Sequence, residues 1–183
     1  MKKIISLFQR NYDGDRLVRD EIVPGAEWVI AGEGIATRKW DGTCCMVRDG
    51  KLYKRRELRQ GDASPSDFEA VGHDEETGKS VGWMPVGDGS EDKWHREAFT
   101  RLVPPLEDGT YELVGPKVQG NVENRPQHEL LWHGHMEAED APRDYEGLRK
   151  YMEGINIEGL VWHHPDGRRA KLKLRDFGFK RSK

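Results

Sequence analysis

The chain has 183 residues, of which 34% are charged, yet its formal net charge at pH 7 is only −3. This near-balance excludes a molecule that attracts nucleic acid through its overall field. The only two cysteines are adjacent, which excludes a disulfide framework, and no apolar run approaches the length of a membrane span. We expect a monomeric, cytoplasmic protein that forms one domain over residues 1–183 and makes no contact with a membrane.

Most of the predicted elements are β-strands that meet at Asp-Gly pairs, the strongest short-range signature of a hairpin. In chain order the predicted strands are 35–39, 43–48 paired with 51–55 across Asp49-Gly50, 110–115 after Asp108-Gly109, and 158–164 paired with 168–175 across Asp166-Gly167. Apolar residues at helical spacing predict helices over 91–102 and 144–152. These elements together predict an α+β fold with antiparallel sheets and a few helices.

The stretch 61–89 is rich in Gly, Pro, Ser and acidic residues and shows no periodicity. It predicts a long surface excursion within the same domain and not a linker between two domains. The segment 83–95 has no assigned role. It either shapes a groove for a substrate or packs against the core through its helical part.

A two-residue turn at Asp166-Gly167 would place one carboxylate and several cations on the same face of the last hairpin. The residues predicted to share that face are Glu158, Leu160, Trp162, Lys171, Lys173 and Arg175. A carboxylate beside two lysines can hold a divalent cation and a phosphate together. The alternative is a solvated face with a weak ion pair across the strands.

Lys39 ends the predicted strand 35–39 and comes directly before Asp41-Gly42, where the strand gives way to a turn. A lysine at such a place either projects into a cleft or is an ordinary exposed residue at the end of a strand. The pattern Lys-x-Asp-Gly is too short to decide between these readings by itself. Its companions elsewhere in the chain make it specific.

Five segments resemble, in order, the motifs of the covalent nucleotidyltransferases, the superfamily of ATP-dependent ligases and capping enzymes. The segments are Lys39-Trp40-Asp41-Gly42-Thr43, Tyr53-Lys54-Arg55-Arg56, Tyr111-Glu112-Leu113-Val114-Gly115, Glu158-Gly159-Leu160-Val161 and Lys171-Leu172-Lys173. Within the superfamily, the chain is most similar to a small ATP-dependent RNA ligase. The resemblance covers 39–173 and implies the nucleotidyltransferase (adenylation) domain of these ligases.

The resemblance implies a catalytic role for four of these residues. Lys39 would attack the α-phosphate of ATP, release pyrophosphate and become a lysyl-AMP phosphoramidate. Glu158 would organise the catalytic metal, Mg²⁺ or Mn²⁺. Lys171 and Lys173 would clasp the α-phosphate. Such a step requires mainly positioning and charge neutralisation from the protein.

Other residues would bind the nucleotide. Asp41 and Gly42 belong to the turn that follows the nucleophile, and Glu112 would accept a hydrogen bond from the ribose. The resemblance also implies an aromatic ring that stacks on adenine. Trp132 is the first candidate for this ring and His133 the second, while a core position remains the alternative for Trp132.

A guanidinium after the first hairpin should contact the nucleotide sugar or the incoming strand. The motif pattern favours Arg55. A regular hairpin at Asp49-Gly50, however, places Arg56 opposite Thr43 and on the face of Lys39, unless a bulge reverses the faces. Both arginines therefore stay candidates.

The relatives that join DNA or cap RNA typically continue into a C-terminal OB-fold domain, and we expect none here because the sequence ends ten residues after Lys173. By analogy with compact RNA ligases, the expected partner is RNA that carries a 5′-phosphate and a 3′-hydroxyl end. The alternatives are another RNA-end or DNA nucleotidyltransferase, of the capping or DNA nick-sealing type, and a non-catalytic RNA-binding module that keeps the fold.

A metal-dependent hydrolase is a further alternative, because five histidines cluster late in the chain. They are His128, His133, His135, His163 and His164. Their spacing is poor for a metal site, since no carboxylate follows at a customary ligand spacing and scattered histidines are mostly structural or exposed.

Overall fold

The computed structural model describes residues 3–75, 77–104 and 106–181. The predicted domain 1–183 and the predicted excursion 61–89 also include positions outside these described residues. No helix in the described ranges is long and apolar enough to cross a membrane.

The described residues form twelve strands, three α-helices and three short 3₁₀ helices. The strands are β1 (Ile5–Ser6), β2 (Phe8–Arg10), β3 (Val18–Ile22), β4 (Ile35–Lys39), β5 (Thr43–Arg48), β6 (Lys51–Leu58), β7 (Glu69–Asp74), β8 (Lys79–Pro85), β9 (Gly109–Val114), β10 (Glu129–Trp132), β11 (Gly159–His163) and β12 (Arg169–Lys173). The α-helices are α1 (Glu27–Ile30), α2 (Lys93–Phe99) and α3 (Tyr145–Glu153), and the 3₁₀ helices are Ser90–Asp92, Gln119–Asn121 and Leu174–Phe177. This content confirms the predicted α+β class.

The chain divides into two compact units, each with its own sheet. The six-stranded unit contains Lys3 and Asp41–His133, and its strands lie in the order β10-β9-β5-β6-β8-β7. The four-stranded unit contains Ile4–Trp40 and the described residues from Gly134 onward, and its strands lie in the order β1-β12-β11-β4, beside a separate β2-β3 pair. The prediction of a single domain stays a prediction.

In the six-stranded unit every strand pair is antiparallel. Asp49 and Gly50 both have positive φ, 51° and 69°, and Arg48 pairs with Lys51, so the predicted two-residue hairpin is confirmed. The stretch 61–89, predicted to be a long surface excursion, contains strands β7 and β8. The core of this unit gathers around Cys45, Val47, Tyr111 and Leu113 and includes Ala98 of α2.

In the four-stranded unit β11 pairs antiparallel with both β12 and β4, whereas β1 runs parallel to β12. That parallel pair is the exception to the predicted antiparallel sheets. The burial of β12 alternates, with Ala170 and Leu172 buried and the residues on either side half-buried. Helix α3 covers this sheet with Leu148 and Met152, and the Asp144 carboxylate caps it by accepting from Gly147 N–H at 2.8 Å.

The last hairpin corrects the predicted register by one residue. Gly159 pairs with Lys173 and His163 with Arg169, and His164 N–H donates to the Arg168 carbonyl at 3.0 Å. Three residues, 165–167, therefore form the loop. The cause is Pro165, which favours the first central position of a type I turn, while Gly167 follows at φ 91° and completes a three-residue connection.

Candidate active site

One row of residues crosses three strands of the four-stranded unit. Gly159, at the start of β11, pairs with Lys173 on β12 and with Lys39 on β4. Paired residues on adjacent strands point to the same side of a sheet. Since Gly159 has no side chain, the space between the two lysines on that side is open to the carboxylate of Glu158.

The carboxylate of Glu158 binds both lysines, one with each oxygen. Lys39 Nζ donates to Glu158 Oε2 at 2.5 Å, and Lys173 Nζ donates to Glu158 Oε1 at 2.5 Å. Lys39 Nζ also donates to the Trp40 carbonyl at 3.3 Å. The three side chains keep 13–20% of their surface exposed, so the cluster is sheltered yet open to solvent.

The charge balance of the cluster appears in the pKa values of two members. Burial would raise the pKa of Glu158, but the ammonium groups of Lys39 and Lys173 outweigh burial and hold the pKa below its ordinary value. Burial, together with the positive charges of Lys173 and Lys39, lowers the pKa of Lys171 from 10.5 to about 8. The cluster thus holds an ionised carboxylate near a lysine whose pKa is lowered to about 8.

The new register corrects which residues share the face of Lys173. Leu160 and Trp162 pair with Leu172 and Ala170, and all four are completely buried in the core, on the opposite side of the sheet from the lysines. Arg175 lies on the 3₁₀ helix after β12 and is exposed. Glu158, Lys171 and Lys173 remain neighbours because Glu158 precedes β11, where strict alternation no longer applies.

Sequence reasoning missed the residue that supports Lys173 from behind. The buried carboxylate of Asp176 accepts a hydrogen bond from the backbone N–H of Lys173 at 2.9 Å and forms an ion pair with Arg10. The signal is an aspartate three residues after the last strand residue, a spacing typical of helix caps. Asp176 therefore fixes the end of β12 at the lysine cluster.

A second group of predicted residues lies together in the six-stranded unit. The half-exposed turn at Gly42 donates its backbone N–H to Glu112 Oε1 at 3.0 Å, and His133 Nε2 lies 2.9 Å from Glu112 Oε2. His133 Nδ1 lies 3.0 Å from the Thr110 hydroxyl. A Cβ on Gly42 would come within 2.0 Å of the Leu113 carbonyl, so this close approach requires glycine.

The backbone of Asp41 has a partner that the motifs did not predict. Asp41 N–H donates to Glu123 Oε1 at 3.0 Å. Glu123 follows a turn in which Gln119, Gly120 and Asn121 all have positive φ, between 46° and 68°. Successive left-handed residues that include two non-glycines are uncommon, and such strained segments cluster at functional sites.

The two candidates for the stacking ring occupy opposite faces of the sheet. Trp132 pairs with Tyr111, packs edge-on against its ring at 4.9 Å, and lies half-buried against the core of the six-stranded unit. His133 lies beside Glu112. Trp132 thus packs against the core on one face, while His133 lies beside the Glu112 carboxylate on the other.

The two arginine candidates also separate by face. Met46 pairs with Tyr53, and Cys44 pairs with Glu112, so alternation places Arg55 on the face of Glu112 and Arg56 on the other. Arg55 is half-buried and lines a surface depression of about 690 Å³, while the exposed Arg56 lies 3.6 Å from Met84 Sδ.

The late histidines do not form a metal site of their own. In the described part of the chain, one group of at least three His, Cys, Asp or Glu side chains is close enough to hold an ion, and it consists of Cys44, Glu112 and His133. Of the five late histidines only His133 belongs to it. The hydrolase alternative therefore gains no support.

Comparison with known proteins yields one family. The family model described as RNA ligase 1 matches residues 90–182, slightly more than half of the chain, which includes Glu112, Glu158 and Lys173 but not Lys39. RNA ligase 1 of Danio rerio is 25% identical over 219 aligned positions, and RNA ligase 1 of Rattus norvegicus and of Mus musculus are each 23% identical over 218. Each alignment covers 79% of this chain and 67% of the relative. The chain belongs to the RNA ligase 1 family.

Proposed function

We propose that this chain is an ATP-dependent RNA ligase that works through a covalent lysyl-AMP on Lys39. The observation that carries the proposal is the cluster in which Glu158 binds Lys39 and Lys173 through separate oxygens, both at 2.5 Å. A nucleophilic amine, a carboxylate and further cations are the groups that nucleotidyl transfer needs at one place. The resemblance to covalent nucleotidyltransferases and the membership in an RNA ligase family support the same conclusion.

In the first step Lys39 Nζ, without its extra proton, attacks the α-phosphorus of ATP. The bond between the α-phosphorus and the oxygen that bridges to the β-phosphate breaks, and pyrophosphate leaves with that electron pair. Lys171 and Lys173 hold the α-phosphate and offset the charge that develops on it. The product is a phosphoramidate bond between Lys39 and AMP.

Glu158 is the residue we propose for the metal, and its environment fits one. Mg²⁺ is typically bound by one or two carboxylates and keeps several waters, and Glu158 is an ionised carboxylate with 13% of its side chain exposed. A bound divalent cation supplies Lewis-acid polarisation of the phosphate oxygens. With a cation held by Glu158, Lys39 would be free of its ion pair with that carboxylate and would lose its proton to solvent before it attacks.

The nucleotide contacts of the proposal come from the six-stranded unit. Glu112 is proposed to accept a hydrogen bond from the ribose, next to the turn formed by Asp41 and Gly42. His133 is the better placed of the two ring candidates because it lies beside Glu112. Arg55 is preferred to Arg56 for the sugar or the incoming strand, since it shares the face of Glu112.

The substrate assignment rests on the family. The relatives are named RNA ligase 1, and we propose that this chain likewise transfers AMP from Lys39 to the 5′-phosphate of an RNA. A 3′-hydroxyl then attacks that activated phosphate, forms the phosphodiester bond and releases AMP.

A sealing assay tests the substrate. Nicked and single-stranded RNA and DNA with 5′-phosphate ends are incubated with the protein, ATP and Mg²⁺ or Mn²⁺, and joined product is measured on denaturing gels. RNA should be joined and DNA joined more slowly, Lys39→Arg should join neither, and Lys150→Arg, on the exposed side of α3, should act like the unaltered protein. Equal or faster joining of DNA would overturn the RNA assignment.

A further inference from the structure

Three adjacent strands of the six-stranded unit bring together three different metal-binding groups. Cys44 on β5 pairs directly with Glu112 on β9, and His133 follows β10. The Cys44 thiol, a Glu112 carboxylate oxygen and a His133 ring nitrogen lie within 4.8 Å of one another. A thiolate, an imidazole and a carboxylate at this separation are a ligand set that suits Zn²⁺.

The two polar ligands already have the outer partners that metal ligands usually have. Glu112 is oriented through Oε1 by the Gly42 N–H, which leaves Oε2 for a cation. His133 is oriented through Nδ1 by the Thr110 hydroxyl at 3.0 Å, which leaves Nε2. A ligating histidine typically donates its second N–H to an oxygen, and this contact fixes its ring and its tautomer.

The contact between His133 and Glu112 already requires a positive charge or a proton. Nε2 and Oε2 are 2.9 Å apart, and at that distance a proton must lie between the two lone pairs. A cation can replace this proton, with Nδ1–H then donating to Thr110. The side chains of Glu112 and His133 keep 10% and 18% of their surface exposed, and Cys44 is half-buried, so an ion can reach them.

We propose that Cys44, Glu112 and His133 bind a thiophilic divalent cation such as Zn²⁺, with water as the fourth ligand. On binding, the Cys44 thiol releases its proton to solvent, the His133 Nε2 proton is displaced, and no electron is transferred. Cys45 cannot substitute for Cys44. Its side chain points to the opposite face, is completely buried in the core, and burial raises the pKa of its thiol well above the ordinary value.

The site has a functional consequence that rests on the proposed function. Glu112 and His133 are the residues proposed to contact the nucleotide, so a cation that occupies them should compete with ATP. This cation site differs in its ligands from the one proposed at Glu158. The Glu158 site offers oxygen ligands, which suit Mg²⁺, and contains no sulfur. Zn²⁺ would therefore inhibit adenylylation by ATP, whereas Mg²⁺ would activate it.

Titration with Co²⁺ alone tests the site without any nucleotide. The protein is kept reduced with a phosphine, and absorption from thiolate-to-cobalt charge transfer is followed in the near ultraviolet. This band reports sulfur ligation only, so Co²⁺ at Glu158 is silent. The unaltered protein should develop the band with one equivalent of Co²⁺, and Zn²⁺ should displace it.

Two matched cysteine variants decide which thiol is responsible. Cys44→Ser should abolish the band, whereas Cys45→Ser should retain it. His133→Gln should weaken Co²⁺ binding more than about tenfold, a loss that even a supporting residue can produce. Thermal unfolding of each variant shows whether it is folded. A band that persists in folded Cys44→Ser, or no band in the unaltered protein, would overturn the proposal.

The competition with ATP is measured separately, by ATP affinity with and without one equivalent of Zn²⁺. Weaker ATP binding in the unaltered protein, but not in Cys44→Ser, supports the functional consequence. If Co²⁺ binds as expected and Zn²⁺ leaves ATP affinity unchanged, the metal site stands and the competition is refuted. The proposed ligase activity has its own test in the sealing assay and is not decided by either result.

Discussion

Lys39 Nζ lies 2.5 Å from Glu158 Oε2, and this ion pair joins the end of β4 to the start of β11. The two residues are 119 positions apart in sequence. Their meeting depends on β11 lying between β4 and β12, with Gly159 in register with a lysine on each side. The proposed nucleophile and the proposed metal ligand are thus positioned by three adjacent strands of one sheet.

Glu158→Gln should destabilise the fold. Without the carboxylate, the charges of Lys39 and Lys173 lose their shared partner, and we expect a decrease in the free energy of unfolding of about 1–3 kcal/mol, below the value for fully buried pairs because the side chains remain partly exposed. Urea denaturation measures this change. Glu153→Gln, at the exposed end of α3, is the matched control and should change little.

The same comparison has a defined pH dependence. Because the pKa of Glu158 is lower in the folded than in the unfolded protein, its contribution to stability is complete above the ordinary value of 4.5 and is lost as pH falls through the folded value. The difference between the unaltered protein and Glu158→Gln should therefore shrink below pH 4.5. A difference that stays constant with falling pH would contradict the assigned ion pairs.

The rate of adenylylation should decrease above about pH 8 because Lys171 loses its proton there. Burial and the charges of Lys173 and Lys39 lower its pKa to about 8, against the opposing attraction of Asp176 and Glu158. As pH rises through 8, Lys171 loses the charge proposed to hold the α-phosphate, so kcat/KM for ATP should fall. In Lys171→Arg the charge persists, and the decrease in kcat/KM should move to higher pH. If kcat/KM decreases at the same pH in Lys171→Arg, another group is responsible for the decrease.

Lys171 also makes stability depend on pH, and the contribution rises with pH as it does for Glu158, because each pKa is lower in the folded protein. The folded protein releases the Lys171 proton at about pH 8, whereas the unfolded chain keeps it until about 10.5. The unfolded state therefore binds more protons between these values, and the free energy of unfolding contributed by Lys171 should rise with pH in this window. Urea denaturation of the unaltered protein and of Lys171→Met, compared at pH 7 and pH 9.5, measures this difference.

Gly159→Ala should disturb the lysine cluster. A Cβ at this position would lie 2.1 Å from the Leu172 carbonyl, so the strands must separate, at a cost on the order of 1–3 kcal/mol. Gly154→Ala is the control in the same unit, since its Cβ meets nothing closer than 3.6 Å. The unfolding temperature and the rate at which labelled ATP adenylylates Lys39 should both decrease in Gly159→Ala and not in Gly154→Ala. Equal behaviour of the two variants would refute the close approach.

Arg55→Ala and Arg56→Ala distinguish the two arginine candidates. Arg55 is half-buried on the face of Glu112, and Arg56 is exposed on the other face. We expect Arg55→Ala to raise KM for ATP or RNA by about tenfold, the effect of one lost charged hydrogen bond of 1.5 kcal/mol or more. Arg56→Ala should have the smaller effect, and the reverse order would reassign the role.

The sequence predicted those parts of the fold that local chemistry determines. The strand 35–39, the two-residue turn at Asp49-Gly50 and the helix capped by Asp144 all depend on neighbouring residues, and the structure contains each of them. The predicted register of the last hairpin was wrong by one residue, because the prediction relied on the Asp-Gly pair and ignored Pro165 directly before it. In the structure the fixed φ of Pro165 determines where the turn begins, and the loop is therefore one residue longer than predicted.

The parts that sequence could not predict depend on distant contacts. The β7-β8 pair within 61–89 has no strict alternation, since β7 is the edge strand of the sheet and the two strands together bury few side chains. The support that Glu123 gives to Asp41 spans 82 residues of sequence and appears only after the chain folds. The motifs named Lys39, Glu158 and Lys173, which the structure brings into contact, whereas no motif pointed to Glu123.

The central claim is a covalent bond between Lys39 and AMP, and one measurement tests it directly. The protein is incubated with ATP labelled at the α-phosphate and with Mg²⁺ or Mn²⁺, then denatured, digested and mapped by mass spectrometry. The account predicts one adenylate per chain on Lys39, removed by excess pyrophosphate and absent from Lys39→Arg. A folded protein that acquires no adduct, or one that acquires it equally in Lys39→Arg, would contradict the account.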